Sequence, residues 1–496
     1  MIADPPRSRQ MLRRAASVRQ DEAGFVLVFF AICIPALLGL VGLAVDGARL
    51  LILDTQAAAI ADAAALAAAN RLDRSAGAIA AARGAALALD NRVTLADLGG
   101  GRRLSLRFAA NLSDLKAGAT NPLAETAGAS AVYAEATTSE VSLDASLLAL
   151  LGGRPARVRR RAIAESQYYA CDVTPAVLCQ PDPDAFAATA RPGRQYLLRM
   201  DGNRVAGSIA LLDRPDRVGT RQSLQDLAGD RPQFCYGDGV ALRTNVAPAE
   251  YDDALNIRFD RYFGRAGPVA PDLAVYPPAP IVVQGRRYET CASPINGYST
   301  APPFALPRDS AFQGLKLSAP WDQGAGDWRT AGPVGSLGAR SALDEYVLWN
   351  HDNKSPDLQA RLRESPTRWD LYLRELGLDR SSEGKPVDTR SYGSATATIP
   401  TGGPASSPLR ERAAPICYAG TLPPTQVRRR ILYLSIADCT AFPNAATAAN
   451  LSRRVAKVFV TEPSDLGATL VEFVGLLTPA EDDGKLRHVV QLVETD

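Results

Sequence analysis

The run Phe25 to Val45, FVLVFFAICIPALLGLVGLAV, constrains this chain more than any other stretch. It holds 21 residues and no charge. As a helix rising about 1.5 Å per residue it is about 31 Å long, the thickness of a bilayer's hydrocarbon core. The segment before it carries Arg7, Arg9, Arg13, Arg14 and Arg19 against Asp4, Asp21 and Glu22. Just beyond it come Asp46, Arg49, Asp54 and Asp62. Basic residues near the ends of a span set its orientation and acids count little. The sequence therefore predicts a cytoplasmic basic segment over 1–24 and a transmembrane helix over 25–45, with the rest of the chain outside the cytoplasm. Pro35 is tolerable there, because neighbouring groups in membrane helices re-satisfy the freed carbonyl. Gly42-Leu43-Ala44 has the small residues of a signal-cleavage site. The run, however, exceeds the about 7 to 15 apolar residues of a signal core, so a retained anchor is the expectation.

From Asp46 to Val93 alanine dominates, with TQAAAIADAAALAAANRLD at the centre. Alanine is the best helix former and no proline interrupts, so a helical stalk is expected over 46–93. Asp54, Gln56, Asp62 and Asn70 do not share one face, which excludes a clean heptad coil. Either the small side chains let another element approach closely, or the helix is simply solvated. Gly99-Gly100-Gly101 ends the pattern. A small α+β membrane-proximal domain is expected over 94–165. Its strands are at Leu104–Phe108, Tyr133–Leu143 and Arg157–Ala164, with a short helix at Ser146–Leu151 closed by Gly152-Gly153.

Residues 166–496 read as a larger, mixed, β-rich extracytoplasmic domain. Its β-type runs are Gln195–Met200, Ala210–Leu212, Ile281–Val283, Ile431–Ile436, Val455–Val460 and Leu470–Leu477. Helices are expected at Ala342–Trp349 and Leu358–Leu376, the second broken at Pro366. The Ser-, Thr-, Gly- and Pro-rich stretch 381–415 is expected to be a mobile loop. The fold class is thus α+β, with a single N-terminal span and an alanine-rich stalk below two domains.

Seven cysteines are present. Cys33 lies in the apolar run, and Cys171, Cys179, Cys235, Cys291, Cys417 and Cys439 all follow it. An even set on one side of a membrane suits an oxidising compartment. CDVTPAVLC makes Cys171 and Cys179 the candidate disulfide; pairing among the other four is open. Metal binding by this pair is disfavoured by the wide spacing and the lack of a nearby histidine.

Catalytic signals are lacking. His351 and His488 are the only histidines, and neither belongs to an HExxH site. The sequence contains no GxSxG elbow and no GxxxxGK[ST] phosphate loop. Asp182/Asp184 and Glu481-Asp482-Asp483 lack EF-hand spacing and read as turn chemistry. The runs Arg159–Arg161 and Arg428–Arg430 flank strands and read as solvated edge charges. A net charge of +2 gives no field for nucleic acid. No enzyme activity, cofactor or metal is expected.

Residues Asp21 to Arg49, DEAGFVLVFFAICIPALLGLVGLAVDGAR, resemble the N-terminal segment of TadG-like proteins of the tight-adherence (Tad or Flp) pilus-assembly system. The shared pattern is a glycine opening the span, a mid-span proline and G-x-A-V-D-x-x-R at its outer end. Gly24, Pro35, Gly42, Ala44, Val45, Asp46 and Arg49 carry it here. The alanine-rich Gln56–Ala69 resembles the family's continuation, and Val141–Ala164, with Leu148, Leu151 and Gly152, its membrane-proximal domain. CDVTPAVLCQP, GSIALLD, ALNIRFD, RWDLYLREL and VFVTEP are similar to one TadG-like subgroup, in consistent order. The sequence lacks the D-x-S-x-S motif of a von Willebrand A domain, so metal-dependent adhesion does not carry over. Gly24-Phe25 resembles a prepilin junction, but Phe29 stands where prepilins have Glu, so pilin processing does not carry over either.

The resemblance implies a non-enzymatic, single-pass inner-membrane protein with a periplasmic bulk. It would assist assembly or anchoring of a Tad/Flp pilus. Its implied partners are other pilus-assembly membrane proteins or pilin subunits, together with membrane lipid. An envelope ligand-binding or adhesin module and a periplasmic enzyme are the alternatives.

Overall fold

The computed structural model describes residues 22–89, 104–116, 122–143, 154–262, 275–282, 305–313, 319–331, 340–382, 426–438, 448–449, 454–477 and 485–495, with 415, 417 and 418. Short gaps fall at 204, 215, 217, 230–233, 238–239, 244–245 and 352–354. The expected helix at Ser146–Leu151 and nearly all of the expected loop 381–415 lie outside the described residues. Two compact units are present: Met1–Gln167 with Val489–Asp496, and Tyr168–His488.

The first unit begins with one uninterrupted helix, α1 (Glu22–Ala69), which carries Pro35 inside it. Leu27 to Val45 expose their large apolar side chains, Leu27 by 72% and Leu43 by 62%. Among the described residues nothing covers that surface, as expected of a helix that faces lipid. Further along, Leu53, Ala57, Ala61, Ala64, Ala65, Ala68 and Ala69 are buried along one face. Of the two readings of the alanine-rich run, close approach describes this half. Asp73 then accepts from the Ser75 N–H at 3.0 Å, turning the chain into α2 (Ala78–Leu87). Helix α2 packs back on α1 through Ala78, Ile79, Ala82 and Ala86.

A sheet closes this core. β1 (Leu104–Ala109) pairs antiparallel with β2 (Tyr133–Thr138), Leu104 opposite Thr138 and Ala109 opposite Tyr133. β2 in turn pairs antiparallel with β5 (Arg161–Cys171), Tyr133 opposite Glu165. The C-terminal strand, Leu486–Thr495, follows β5 in the sheet order. Ala134, Ala136, Ala162 and Ala164 face the helical alanines in one buried cluster. Small side chains on both sides let helix and sheet backbones come close. Gly128 serves the same closeness, because a Cβ there would sit 2.5 Å from the Ser75 carbonyl oxygen. The expected strand Tyr133–Leu143 divides into β2 and β3 (Val141–Leu143), and Arg157–Ala164 into β4 (Ala156–Val158) and β5. β3 and β4 form their own antiparallel pair, Leu143 opposite Ala156, packed on Leu53 and Ala57.

The second unit continues with β6 (Ala176–Cys179), α3 (Pro183–Thr189), β7 (Gln195–Arg199), β8 (Ile209–Leu212) and α4 (Thr220–Ala228). Then come β9 (Cys235–Tyr236), β10 (Val240–Arg243), α5 (Pro248–Asn256), α6 (Ala342–His351), α7 (Pro356–Arg363) and α8 (Arg368–Glu375). β11 (Ile431–Ala437), β12 (Ala448–Ala449), β13 (Val455–Val460), β14 (Ala468–Leu476) and β15 (Leu486–Thr495) end the chain. The main sheet runs β12-β10-β8-β6-β11-β13-β14-β7. β6 and β11 are parallel, and the other pairs are antiparallel.

Both faces of this sheet are covered. Ile431, Tyr433, Val455 and Phe459 face Trp369 and Tyr372 of α8 and Tyr346 and Val347 of α6. Leu432, Leu434, Ile436 and Val458 face Leu224 and Leu227 of α4 and Tyr251, Ala254 and Leu255 of α5. β11 is therefore buried at every position, as a strand between two helical layers must be. The expected break at Pro366 separates α7 from α8. Ser355 and Thr367 cap the two helices, accepting from the Leu358 and Asp370 N–H groups. Ile281 and Val282 are buried but form no strand.

Two expectations are corrected. Cys171 is bonded to Cys235, not to Cys179. The register explains this: Cys171 at the outer end of β5 lies directly opposite Cys235 of β9, whereas Cys179 sits in β6, paired with β8 and β11. Cys179 and Cys417 each take part in a disulfide too. Nor are Arg429 and Arg430 solvated edge charges; they are 4% and 1% exposed. Arg429 donates to the carbonyls of Pro277, Gly229 and Ala228, and Arg430 to those of Val460 and Thr461. Arg430 also stacks against Phe259 and Phe459.

Two measurements check this fold. Peptide mapping without reductant is expected to recover Cys171 linked to Cys235 and no Cys171–Cys179 peptide. Ala65→Leu should cost about 1–3 kcal/mol by overpacking the alanine interface. Hydrogen exchange is expected to speed up in β1 and β2 of that variant, but not in Ala63→Leu, whose side chain is exposed.

Candidate functional site

The residues singled out at the N-terminus all fall on α1. Gly24 lies in its first turns and Pro35 in the exposed apolar half. Between Leu27 and Arg49 only Gly42 and Asp46 are buried. They are four positions apart and so share a face. Asp46 is 7% exposed, with Arg49 one turn on at 3.8 Å. The helix thus brings Gly42, Asp46 and Arg49 together, while Pro35 stands apart, further into the span.

Above Asp46 a polar tie fixes the helix to the first unit's strands. Arg160 grips Asp54 with two parallel hydrogen bonds, Nε to Oδ1 at 2.7 Å and Nη2 to Oδ2 at 2.5 Å. Such fork-to-fork pairs are among the stronger charge-assisted contacts. In the sequence the run Arg159–Arg161 reads as edge charge, and nothing local there points to a residue 106 positions away. Arg107 and Arg161 flank the buried Glu135 at 3.4 and 3.3 Å. At the far end of the packed half, Ser166 donates to the Leu72 carbonyl at 3.2 Å. Tyr133 donates to Glu165 at 2.8 Å. Burial, then that carboxylate, push the Tyr133 hydroxyl up to about 12, so it stays a donor.

In the second unit the concentrated charge is interior. Arg368 and Glu472 are fully buried, and so is Asp309. Arg368 donates to Asp309 at 2.7 Å, to Glu472 at 3.0 Å, and to the Pro307 and Gly193 carbonyls. Glu472 also accepts the first two N–H groups of α8, from Arg368 and Trp369. Asp309 accepts from the Gln195 and Gly326 N–H groups. Every charge here meets a structural partner, so the network locks α8, β7 and β14 together. His351 accepts or donates to Glu375 at 2.9 Å, and Tyr346 donates to the same oxygen at 2.6 Å. His488 stacks on Tyr168. Asp182 accepts from the Ala185 N–H and so opens α3. Among the described residues no three His, Cys, Asp or Glu side chains converge as a metal site.

One pair, a buried Asp213 with a partly exposed Arg243, is placed to respond to pH. Arg243 of β10 holds Asp213, just past β8, through two bonds at 2.9 and 2.5 Å, and Ser223 of α4 donates to it at 2.8 Å. Burial pushes the Asp213 carboxyl up, but Arg243 and Ser223 outweigh it and hold the group below its ordinary value.

The helix that carries the motif also carries a family likeness. Residues 24–71 match the family described as putative Flp pilus-assembly TadE/G-like. The chain carries a TadE/G-like N-terminal segment. The matched residues cover the exposed apolar half of α1, its packed alanine face and the turn that follows. Comparison with curated proteins and with solved structures gave no match. The TadE/G-like segment is a single helix long and apolar enough to cross a membrane, which fits a membrane anchor in a pilus-associated protein.

The Asp213 pair sets a pH prediction. With its folded value lowered, it stabilises the fold above the ordinary carboxyl range near 3.8 and loses that contribution as pH falls through the lowered value. Asp213→Asn should cost about 1–3 kcal/mol at pH 7. The gap to the parent chain should close below about pH 4. All four tryptophans, Trp321, Trp328, Trp349 and Trp369, lie in the second unit, so their fluorescence during urea unfolding reads it directly.

Proposed function

We propose that this chain is a single-span, non-enzymatic accessory of a Flp-type pilus-assembly apparatus. Residues 1–24 are cytoplasmic, and the two folded units stand outside the inner membrane. There they hold or guide pilin subunits or another membrane component of the apparatus. The observation that carries this reading is the TadE/G-like match over 24–71, which coincides with the one bilayer-length apolar helix among the described residues. The arginine excess before the span and the disulfides beyond it support the orientation. Buried charges that are consumed in structural contacts support a scaffolding role over catalysis.

An in-frame deletion of the chain, with and without rescue by the full protein, tests the proposal. Surface pili counted by electron microscopy are expected to fall in the deletion and return with the rescue. An unchanged pilus count would refute the assembly role.

A further inference from the structure

Beside the Arg160–Asp54 tie, the first unit carries positive charge that its own fold does not use. Arg154, Arg157 and Arg159 are exposed along β4 and just beyond its two ends. Arg157 reaches Glu140 at 3.0 Å, with both side chains exposed. An exposed pair of this kind contributes little and leaves the guanidinium open to other anions. Arg154 and Arg159 meet no carboxylate among the described residues. Arg49, on α1, is partly exposed and stands 3.8 Å from the buried Asp46.

The height of these arginines along α1 decides what they meet. The apolar run ends at Val45. Leu53 and Ala57 stand about 12 and 18 Å past it along the helix, and Leu50 about 8 Å. Val158 of β4 and Leu143 of β3 pack on Leu53 and Ala57, with Leu50 at the edge. Ser166 is tied to Leu72 and Arg160 to Asp54, so falling strand numbers lead down the helix toward the span. Arg154 comes four residues before Val158, which is about 13 Å at about 3.3 Å per residue. That course brings it to within about 5 Å of the end of the apolar run. Arg49 lies about 6 Å past the same end, on the helix itself. Lipid headgroups occupy about 5–8 Å beyond each side of the hydrocarbon core. Arg157 and Arg159 stand higher, on side chains long enough to extend toward that layer.

We propose that Arg49, Arg154, Arg157 and Arg159 form a basic collar that binds the phosphates of anionic lipid headgroups at the bilayer surface next to Val45. Guanidinium groups match phosphate oxygens bidentately. The span already brings the bilayer to this level, so the lipid surface is the anion continuous with a contact the chain makes anyway. Span and collar then hold the first unit to the membrane at two places, which limits the tilt of α1. The inference rests on the membrane span of the proposed function and is independent of any role in a pilus.

The test uses the full chain in vesicles of phosphatidylcholine alone, or of an equal mixture with phosphatidylglycerol. With Cys33→Ala in the background, Ser142→Cys carries a nitrobenzoxadiazole dye on β3, exposed and opposite Arg157. A lipid spin-labelled on its headgroup is present in both vesicles and quenches the dye on contact. Quenching is expected to be at least twofold greater in the mixed vesicles and to fall to the phosphatidylcholine level in high salt. Arg154→Gln with Arg157→Gln and Arg159→Gln should remove the difference. Arg160 is untouched, so amide exchange in β5 should stay the same and report that the fold is kept. Native mass spectra of the unsubstituted chain, released from nanodiscs of the same mixture, should retain phosphatidylglycerol over phosphatidylcholine. Equal quenching in the two vesicles, equal quenching in parent and triple variant, or equal retention of the two lipids would overturn the proposal. A chain that floats with neither vesicle would refute the span, and the collar with it.

Discussion

Helix α1 is much longer than a bilayer is thick. Its 48 residues span about 72 Å at about 1.5 Å each, more than twice a hydrocarbon core. One rod therefore has two unlike halves. Over 27–45 it shows large apolar side chains outward, as a helix in lipid would. Over 61–69 it turns an alanine face to helix α2 and a sheet whose inward residues are also alanine. Alanine buries little area per residue, so the interface gains from closeness more than from any one side chain. The Arg160–Asp54 fork then fixes rotation and height, which a smooth alanine face cannot do. No loop intervenes between the apolar half and the packed half, so a displacement of the first unit's strands is a displacement of the whole helix.

The second unit solves a different problem. Its sheet is covered on both faces, and its interior admits several arginines. Burying a lone guanidinium costs several kcal/mol, and only full pairing offsets it. Arg368 meets that condition through two carboxylates and two carbonyls. Arg430 meets it through carbonyls and aromatic faces. Glu472 does two things at once, neutralising Arg368 and capping α8, where the helix dipole favours negative charge. Gly324 belongs to the same knot, since a Cβ there would meet the Gln195 carbonyl oxygen at 2.1 Å. Such networks hold unique geometry between elements distant in sequence.

What could be read beforehand follows from the range of each interaction. The span, the alanine helix, the break at Pro366 and most strands depend on neighbours within a few residues, and they were legible. β11 carried a further message that went unused: ILYLSIA is apolar without alternation, the mark of a strand covered on both sides. The disulfide was misread because spacing within CDVTPAVLC suggested a local loop, whereas strand register brought Cys235 to Cys171. Arg429 and Arg430 were misread because a triple arginine has no local sign of burial. Their partners, at Ala228, Gly229, Pro277 and Val460, lie 30 to 201 positions away. The Gly42, Asp46 and Arg49 motif was legible as residues, but the burial of Gly42 and Asp46 within an otherwise exposed stretch of helix was not.

The Cys171–Cys235 bond acts where long-range closure is most costly to leave to packing alone. It closes 64 residues, and the chain-entropy argument assigns such a loop about 4 kcal/mol of stabilisation. Without it, β9 is a two-residue strand that holds the end of β5 by little more than Ala170 opposite Tyr236 and Cys171 opposite Cys235. Tyr236 is fully buried there and packs in the core with Ala170 and Leu212. The covalent link therefore secures a short edge element that hydrogen bonds alone would leave marginal. Beyond it, the Lys485 carbonyl accepts the Cys171 N–H and its ammonium donates to the Asp172 carbonyl, so both flanks of the crossing strands are held. The bond Cys171–Cys235 suits an oxidising compartment, while Cys33, in the apolar half of α1, keeps its thiol.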